Sequence, residues 1–335
     1  MNSRIQHLRN ISLKTPVTLS HERAQLLTDF YRKSLPDEAI PIQRAKAFQY
    51  IFTNKQLYIE KGELILGERG PGPKAVPTYP EICLHSLNDL KILDQREKIS
   101  YKVSDEMLQI YKDEIIPFWK GKSQREHIFS AMSPQWLQAY HSGVFTEFQE
   151  QRAPGHTTLG DKIYQKGMLD LIAECKEQSD LISKSKDLNK QQKLDQLQAM
   201  IIVAETIMQY AKGHTERLEH LAKQEKDPQQ KASWLELADI CKNVPAHAPK
   251  TFHEALQYYW FVHVGVITEL NPWDSFNPGR IDQHLWPFYK NDLNSGKLSN
   301  EKAIELLQNF WIKFHNHPAP PKTGVTAQES NTYTD

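Results

Sequence analysis

Cysteine is scarce in this chain, with three in 335 residues, and Cys83, Cys175 and Cys241 stand far apart with no C-x-x-C spacing. That excludes a disulfide framework and a zinc knuckle. Cys175 in "LDLIAECKEQ" and Cys241 in "LELADICKNV" fall inside helical patterns, where a thiol serves as a small buried apolar side chain. None of the three reads as a nucleophile. Long apolar runs are missing too: no stretch approaches the roughly 18 residues of a spanning helix, and "MNSRIQHLRNISLK" lacks an apolar core of signal-peptide length. The expectation is a cytoplasmic protein with no membrane partner. Nor is there an excess of one charge, since Lys plus Arg and Asp plus Glu each number 41. Without a field of one sign, nucleic acid is not an expected partner. The histidines form no i, i+4 pair beside a glutamate, so no metal is expected.

What the chain does have is a globular composition, 39% hydrophobic and 10% aromatic, arranged mostly at helical spacing. "LSHERAQLLTDFYRKS" places Ser20 ahead of an amphipathic run with Glu22 in its first turn. Further helices are predicted over "PIQRAKAFQYIFTN", "SDEMLQIYKDEIIPFWKG", "KIYQKGMLDLIAECKEQSDLI", the long "LNKQQKLDQLQAMIIVAETIMQYAKGHTERLEHLAKQ", "PQQKASWLELADICKNV", "TFHEALQYYWFVHVGVI" and "SNEKAIELLQNFWIKFHNH". A short apolar strand is predicted at Leu64 to Leu66, running into a loop rich in Gly and Pro. No repeat, low-complexity run or long linker interrupts this, so one mostly helical domain is the plain reading. Irregular segments after Leu66, around Pro154, around Pro272 and at the chain end are where binding groups would sit.

Four of these segments have chemistry to offer. In "GERGPGPK" two prolines remove amide donors and Ala75 stands where a magnesium-binding hydroxyl would be needed, which argues against a phosphate loop. In "RAPGHT" a Pro-Gly turn presents His156, whose near-neutral pKa suits an acid or donor toward a substrate hydroxyl, although a lone histidine is more often structural. "ITELNPWDSFNPGRIDQHLWPFY" sets Glu269, Asp274 and Asp282 behind an apolar helix, where desolvation would raise the pKa of Asp274. Pairing of Asp274 with Arg280, or capping of a helix near Ile281, explains the same residues equally well. At the end, Glu329, Ser330, Thr332 and Asp335 alternate hydroxyls with carboxylates, as recognition of a small zwitterion requires, or as a polar turn would.

Taken in order, "GELILGERGPGPKAVPTYPE", "RAPGHT", "WDSFNPGRIDQHLWPFY" and "NHPAPPKTGVTAQESNTYTD" resemble the N-terminal part of glycyl radical enzymes of the pyruvate formate-lyase-like superfamily, and among them the dehydratases of hydroxylated proline. The likeness covers essentially all 335 residues. It implies a predominantly α-helical portion of an α/β fold, an incomplete ten-stranded barrel, with residues 1–335 forming the N-terminal part of the domain. By motif it implies that His156 and Asp274 face a departing C4 hydroxyl, that Phe148 packs on the substrate ring, and that Ser330 and Asp335 hold its carboxylate and amino ends.

The resemblance also implies elimination of water from a hydroxyproline-like substrate, giving a pyrroline carboxylate. The family does this with a protein glycyl radical installed by a radical S-adenosylmethionine activase and passed to a thiyl cysteine. Both of those loops follow the "QES.TY.D" region in the family and are expected to be absent here, so this chain would bind no cofactor itself. A missing C-terminal portion or second chain, the activase and a homodimeric partner are the implied associates, and inactivity of the chain alone is expected. Two alternatives stay open. One is a glycyl radical diol dehydratase, which would have no use for Ser330 and Asp335 as a zwitterion's partners. The other is a non-catalytic scaffold that keeps this part of the fold.

Overall fold

The structure, a computed structural model, describes residues 2–34, 37–145, 156–157, 160–270, 276–321 and 323. Chain order opens with α1 (Ser3–Lys14), β1 (Thr18–Ser20), α2 (Glu22–Lys33), α3 (Ile40–Asn54), β2 (Ala75–Pro77) and α4 (Leu87–Gln95). Then come α5 (Asp105–Ile110), a π-turn over Tyr111–Ile115, α6 (Ile116–Trp119), α7 (Gln124–Ala131), α8 (Pro134–His141) and β3 (His156–Thr157). A 3-10 turn (Lys162–Tyr164) precedes α9 (Met168–Ser183), α10 (Lys190–Gln224), α11 (Pro228–Asn243) and α12 (Phe252–Glu269). After β4 (Phe276–Asn277) the chain forms α13 (Ile281–His284), α14 (Trp286–Asn294) and α15 (Asn300–His315). Helix therefore dominates, and the strand pairs among the described residues are parallel, β1 on β2 and β3 on β4.

Hydroxyl residues begin many of these helices. Ser86, Ser123 and Thr251 accept the amide three residues on, while Asp89, Glu126 and Glu254 reach back to the cap amide. These boxes satisfy donors that a helix start leaves open. Ser20 takes a smaller part than expected: its Oγ accepts from the Glu22 amide at 3.3 Å, and His21 occupies the cap of α2.

Helix α10 packs on α3, α9 and α11, and α3 divides the interior in two. Phe48 and Phe52 point into a large core with Ile207, Tyr210, Trp260, Phe261 and Phe310. Ala47 and Ile51 point into a second, with Leu27, Val76, Tyr101, Tyr111 and Trp119. Helix α12 runs through the large core with fifteen of its eighteen residues buried, as a segment apolar on all sides should.

Three expectations of local structure change. The apolar run Leu64 to Leu66 is not a strand: it is a fully buried bend whose backbone groups bond to side chains from distant helices. The run "KIYQKGMLDL" is split at Gly167, which is extended and sits where any Cβ would run into the backbone of Ala246 and His247. The amides of Met168 and Leu169 instead bond to the carbonyls of Pro245 and Ala246 at 2.8 and 3.1 Å. In "SDEMLQIYKDEIIPFWKG" the helical path is kept but widened to a π-turn one residue before α6, where Pro117 lacks an N–H and its ring would clash with the preceding turn.

Candidate functional site

Residues His253, Gln257 and Trp260 recur at i, i+4 and i+7, which stacks them on one face of α12. That face meets the buried bend. The His253 Nε2–H donates to the Leu64 carbonyl at 2.6 Å, Gln257 accepts from the Leu66 amide at 2.8 Å and donates to its carbonyl at 2.9 Å, and the Trp260 indole donates to Gly67 at 2.8 Å. From α15, Asn309 Oδ1 accepts the Ile65 amide at 3.0 Å. Side chains here do the work that a neighbouring strand would do. Burial lowers the pKa of His253 to about 4, so the ring is neutral and its tautomer is set by the Leu64 bond.

On either side of the bend stand Glu63 and Glu68, and Lys313 of α15 lies between them, bonded to Glu63 at 2.8 Å and to Glu68. All three are at most 5% exposed. Burial acts to raise the Glu68 pKa, but the contacts with Lys313 and His317 together outweigh it and hold the carboxyl at about 2. Glu63 is pushed up by burial in spite of Lys313. The His317 ring faces Glu68 at 2.6 Å; burial lowers its pKa to about 4, so it is a neutral donor through Nε2. Lys55, at the end of α3, donates to the carbonyls of Glu68 and Arg69 at 2.6 and 2.9 Å, and burial lowers its pKa to about 8. Removing so many charges from water costs several kcal/mol for each ion before pairing, so this cluster is a device for fixing geometry more than for adding stability.

What it fixes is the exit of α15. Asn316 accepts from Ser12 Oγ at 2.6 Å and from the Lys74 amide at 2.8 Å, Arg69 donates to the Pro318 carbonyl, and the Tyr101 hydroxyl donates to Ala319 at 2.8 Å. The prolines at 318, 320 and 321 thus lead out along an anchored, extended path. Ser330 and Asp335 follow it in sequence and lie outside the described residues, as do Phe148 and Asp274. The exit of α12 is held likewise: Arg23 donates to the carbonyls of Thr268 and Glu269 at 2.5 and 3.4 Å, and Arg44 pairs with the Glu269 carboxylate.

Of the five residues proposed to meet substrate, the structure describes His156 alone, by its backbone. In β3 His156 is the register partner of Phe276, and Thr157 of Asn277. Asp274 precedes Phe276 by two positions, so this pairing brings the two candidate segments side by side. Arg280 bonds to Asp282 at 3.0 and 3.1 Å on the surface. Glu269, the third acid of that stretch, belongs to the α12 exit.

Sequence reasoning passed over Glu63, Glu68, Lys313 and His317. A signal existed in "ELLQNFWIKFH", where Lys313 shares the buried stripe of Leu306, Asn309 and Phe310. A lysine on an apolar stripe needs a buried anion. All three cysteines are buried, and burial raises the Cys175 and Cys241 pKa values, which keeps both as neutral thiols. No group of three or more His, Cys, Asp or Glu suited to a metal occurs among the described residues, and no described helix is long and apolar enough to cross a membrane.

Comparison with known proteins matches residues 1–334 to the model of the family described as pyruvate formate lyase-like. Trans-4-hydroxy-L-proline dehydratase of Clostridioides difficile is 47% identical over 332 residues, which are 99% of this chain and 42% of that protein. The crystal structure of hydroxyproline dehydratase from Clostridioides difficile with trans-4-hydroxy-L-proline bound superimposes with a TM-score of 0.94 at 46% identity, over 100% of this chain and 42% of that one. The glycerol-bound form of the B12-independent glycerol dehydratase from Clostridium butyricum gives 0.89 at 28% identity, over 96% and 40%. This chain therefore spans about two fifths of the length of such relatives, which are dehydratases and lyases. With the parallel strand pairs, the enclosing helices and the family match in agreement, the chain belongs to the pyruvate formate lyase-like family and forms the mostly helical part of a glycyl radical enzyme barrel.

Proposed function

We propose that this chain supplies the N-terminal part, and one side of the pocket, of a dehydratase that removes water from trans-4-hydroxy-L-proline to give a pyrroline carboxylate. The observation that carries this reading is the 47% identity, over 99% of the chain, to a dehydratase of that substrate. His156 and Asp274 face the C4 hydroxyl, and His156 gives it a proton, since hydroxide leaves poorly at neutral pH while water leaves readily. The β3–β4 pairing supports the assignment by bringing the His156 backbone beside the segment that follows Asp274. Phe148 covers the ring, Ser330 donates to the carboxylate and Asp335 pairs with the ammonium.

The glycyl radical of the family supplies hydrogen abstraction through a cysteine, and none of Cys83, Cys175 and Cys241 lies in a motif that matches it. Turnover therefore requires polypeptide beyond these residues and a radical S-adenosylmethionine activase, and residues 1–335 by themselves are inactive. The test is to activate the complete gene product anaerobically and offer it trans-4-hydroxy-L-proline or glycerol, with the radical counted by electron paramagnetic resonance. Release of pyrroline carboxylate is expected. Turnover of glycerol alone would transfer the chain to the diol dehydratases, and a full radical signal with neither product would overturn the reading altogether.

A further inference from the structure

Helix α15 is covered on two sides, and a third lies open among the described residues. Ala303, Leu306 and Phe310 point into the large core. On one flank Glu305 and Asn316 meet α1, Glu305 through Asn2 and Arg4 and Asn316 through Ser12. On the opposite flank Ile304, Leu307, Trp311 and Phe314 recur at i, i+3, i+7 and i+10, which sets them in one row. No charged side chain interrupts that row. Ile304 is 56% and Trp311 49% exposed, while Leu307 and Phe314 rest partly on the core. The ring centres of Trp311 and Phe314 are 5.3 Å apart. The row continues into α14, because Asn300, one turn before Ile304, accepts from the Tyr289 hydroxyl at 2.8 Å. The Tyr289 ring centre is in turn 5.8 Å from that of Trp286, which is 56% exposed.

Scattered singly, exposed apolar side chains need no explanation. Joined at this spacing along roughly 15 Å of helix, they make a seam that a second helix fills with an apolar row of its own. Topology names the occupant. The strand pairs here are parallel, and parallel strands are joined by helices through right-handed crossovers, so successive helices of such a barrel lie side by side. Beyond the Phe314 end of the row the chain leaves along the anchored, extended stretch 316–321, which is how a helix hands over to a strand. This chain spans about two fifths of the length of its relatives, so the polypeptide that could provide the next helix is ample. We propose that the 304–314 flank of α15, with Tyr289 and Trp286 at its edge, is the seat of the first helix that follows residue 335. The proposal rests on the reading of residues 1–335 as part of a longer chain and is independent of the substrate.

In the complete gene product, Trp311→p-benzoylphenylalanine puts a photoreactive ketone on the row. Irradiation followed by peptide mass spectrometry should give a crosslink within one chain, to a peptide beyond residue 335 whose apolar residues recur at helical spacing. The same probe at Leu188, fully exposed just before α10, should give none. Mixing copies grown on ordinary and heavy nitrogen separates the alternatives. A crosslink that joins two copies, one that stays within residues 1–335, or none at all overturns the proposal. If the ketone at 311 prevents folding, Ile304→p-benzoylphenylalanine carries the same outcomes. Ile304→Lys gives an independent reading, since a charge forced into a covered seam should lower the denaturation midpoint of the complete gene product, whereas Leu188→Lys should leave it unchanged. Equal midpoints for the two variants would overturn the seat. Neither measurement needs radical or substrate, so a complete gene product that ignores hydroxyproline and still forms the crosslink would end the substrate assignment and leave the seat standing.

Discussion

Glu68 and Lys313, 245 positions apart in the chain, form an ion pair that water does not reach. Lys313 also holds Glu63, so its loss strands two carboxylates in the interior. Lys313→Met should cost roughly 3–5 kcal/mol, the range for breaking a buried pair from one side. Denaturant unfolding measures this as a fall in midpoint at constant slope. Adding Glu68→Gln to Lys313→Met should return part of the loss, since one stranded charge is then removed. A single-variant cost below about 1 kcal/mol would mean that the cluster is hydrated.

Acid should act in two windows. Burial lowers His85, His214 and His253 to about 4 and His263 to about 3, against an ordinary value of 6.5. The unfolded chain takes up these protons below pH 6.5 and the folded chain does not, so their contribution is complete above 6.5 and drains as pH falls toward 4. Each such histidine adds about 1.4 kcal/mol per pH unit to the slope. Glu68, held at about 2, loses its contribution only between about 4.5 and 2. A melting temperature that stays flat from pH 7 to 5 would contradict the neutral, buried state of the histidines.

Gly167→Ala tests the break before α9. In an open helix the exchange would gain up to about 1 kcal/mol. Here the new Cβ would stand 2.2 Å from the Ala246 carbonyl oxygen and 2.4 Å from the His247 Cα, both backbone atoms with little room to move. A loss of about 1–3 kcal/mol is expected, and calorimetry reads its sign directly. A stabilised variant would show that the loop after α11 is not held against α9.

The substrate assignment predicts opposite kinetic signatures in the complete, activated gene product. His156→Gln should lower kcat by about 10²- to 10⁴-fold, the usual range for a general acid, with KM little changed. Asp335→Asn should raise KM first, because it weakens a contact to the ammonium that exists before any chemistry. Rates must be divided by radical content. Equal turnover per radical in wild type and His156→Gln would remove the catalytic role.

Most helices were legible because one periodicity carried them. Phe252 to Glu269 read as buried on all sides and is so, and "LNKQQ" onward read as one long helix and forms α10. Leu64 to Leu66 failed because its hydrogen-bond partners are not in the neighbouring sequence: Gln257 is 191 residues on from Leu66, and Asn309 is 244 on from Ile65. An apolar triplet between glycines looks the same whether a strand or a row of side chains receives it. Gly167 failed for a related reason, since the obstacle is the chain near Ala246. Of the site, local spacing isolated the turn at His156 and the stretch at Asp274, while their adjacency depended on strand register, which no single sequence displays.

The buried bend bears on how pieces of this family can be exchanged. A strand accepts almost any sequence of suitable polarity, because its partner offers backbone to backbone. The Leu64 to Gly67 bend is addressed by name, through His253, Gln257, Trp260 and Asn309. A chimera that imports this loop from a relative inherits no backbone partner and must import those four residues with it, although 185 residues of chain lie between the Gly67 end of the bend and the first of them. Recombination points placed between the loop and α12 should therefore be poorly tolerated, even at the short turn at Glu225–Asp227 that joins α10 and α11.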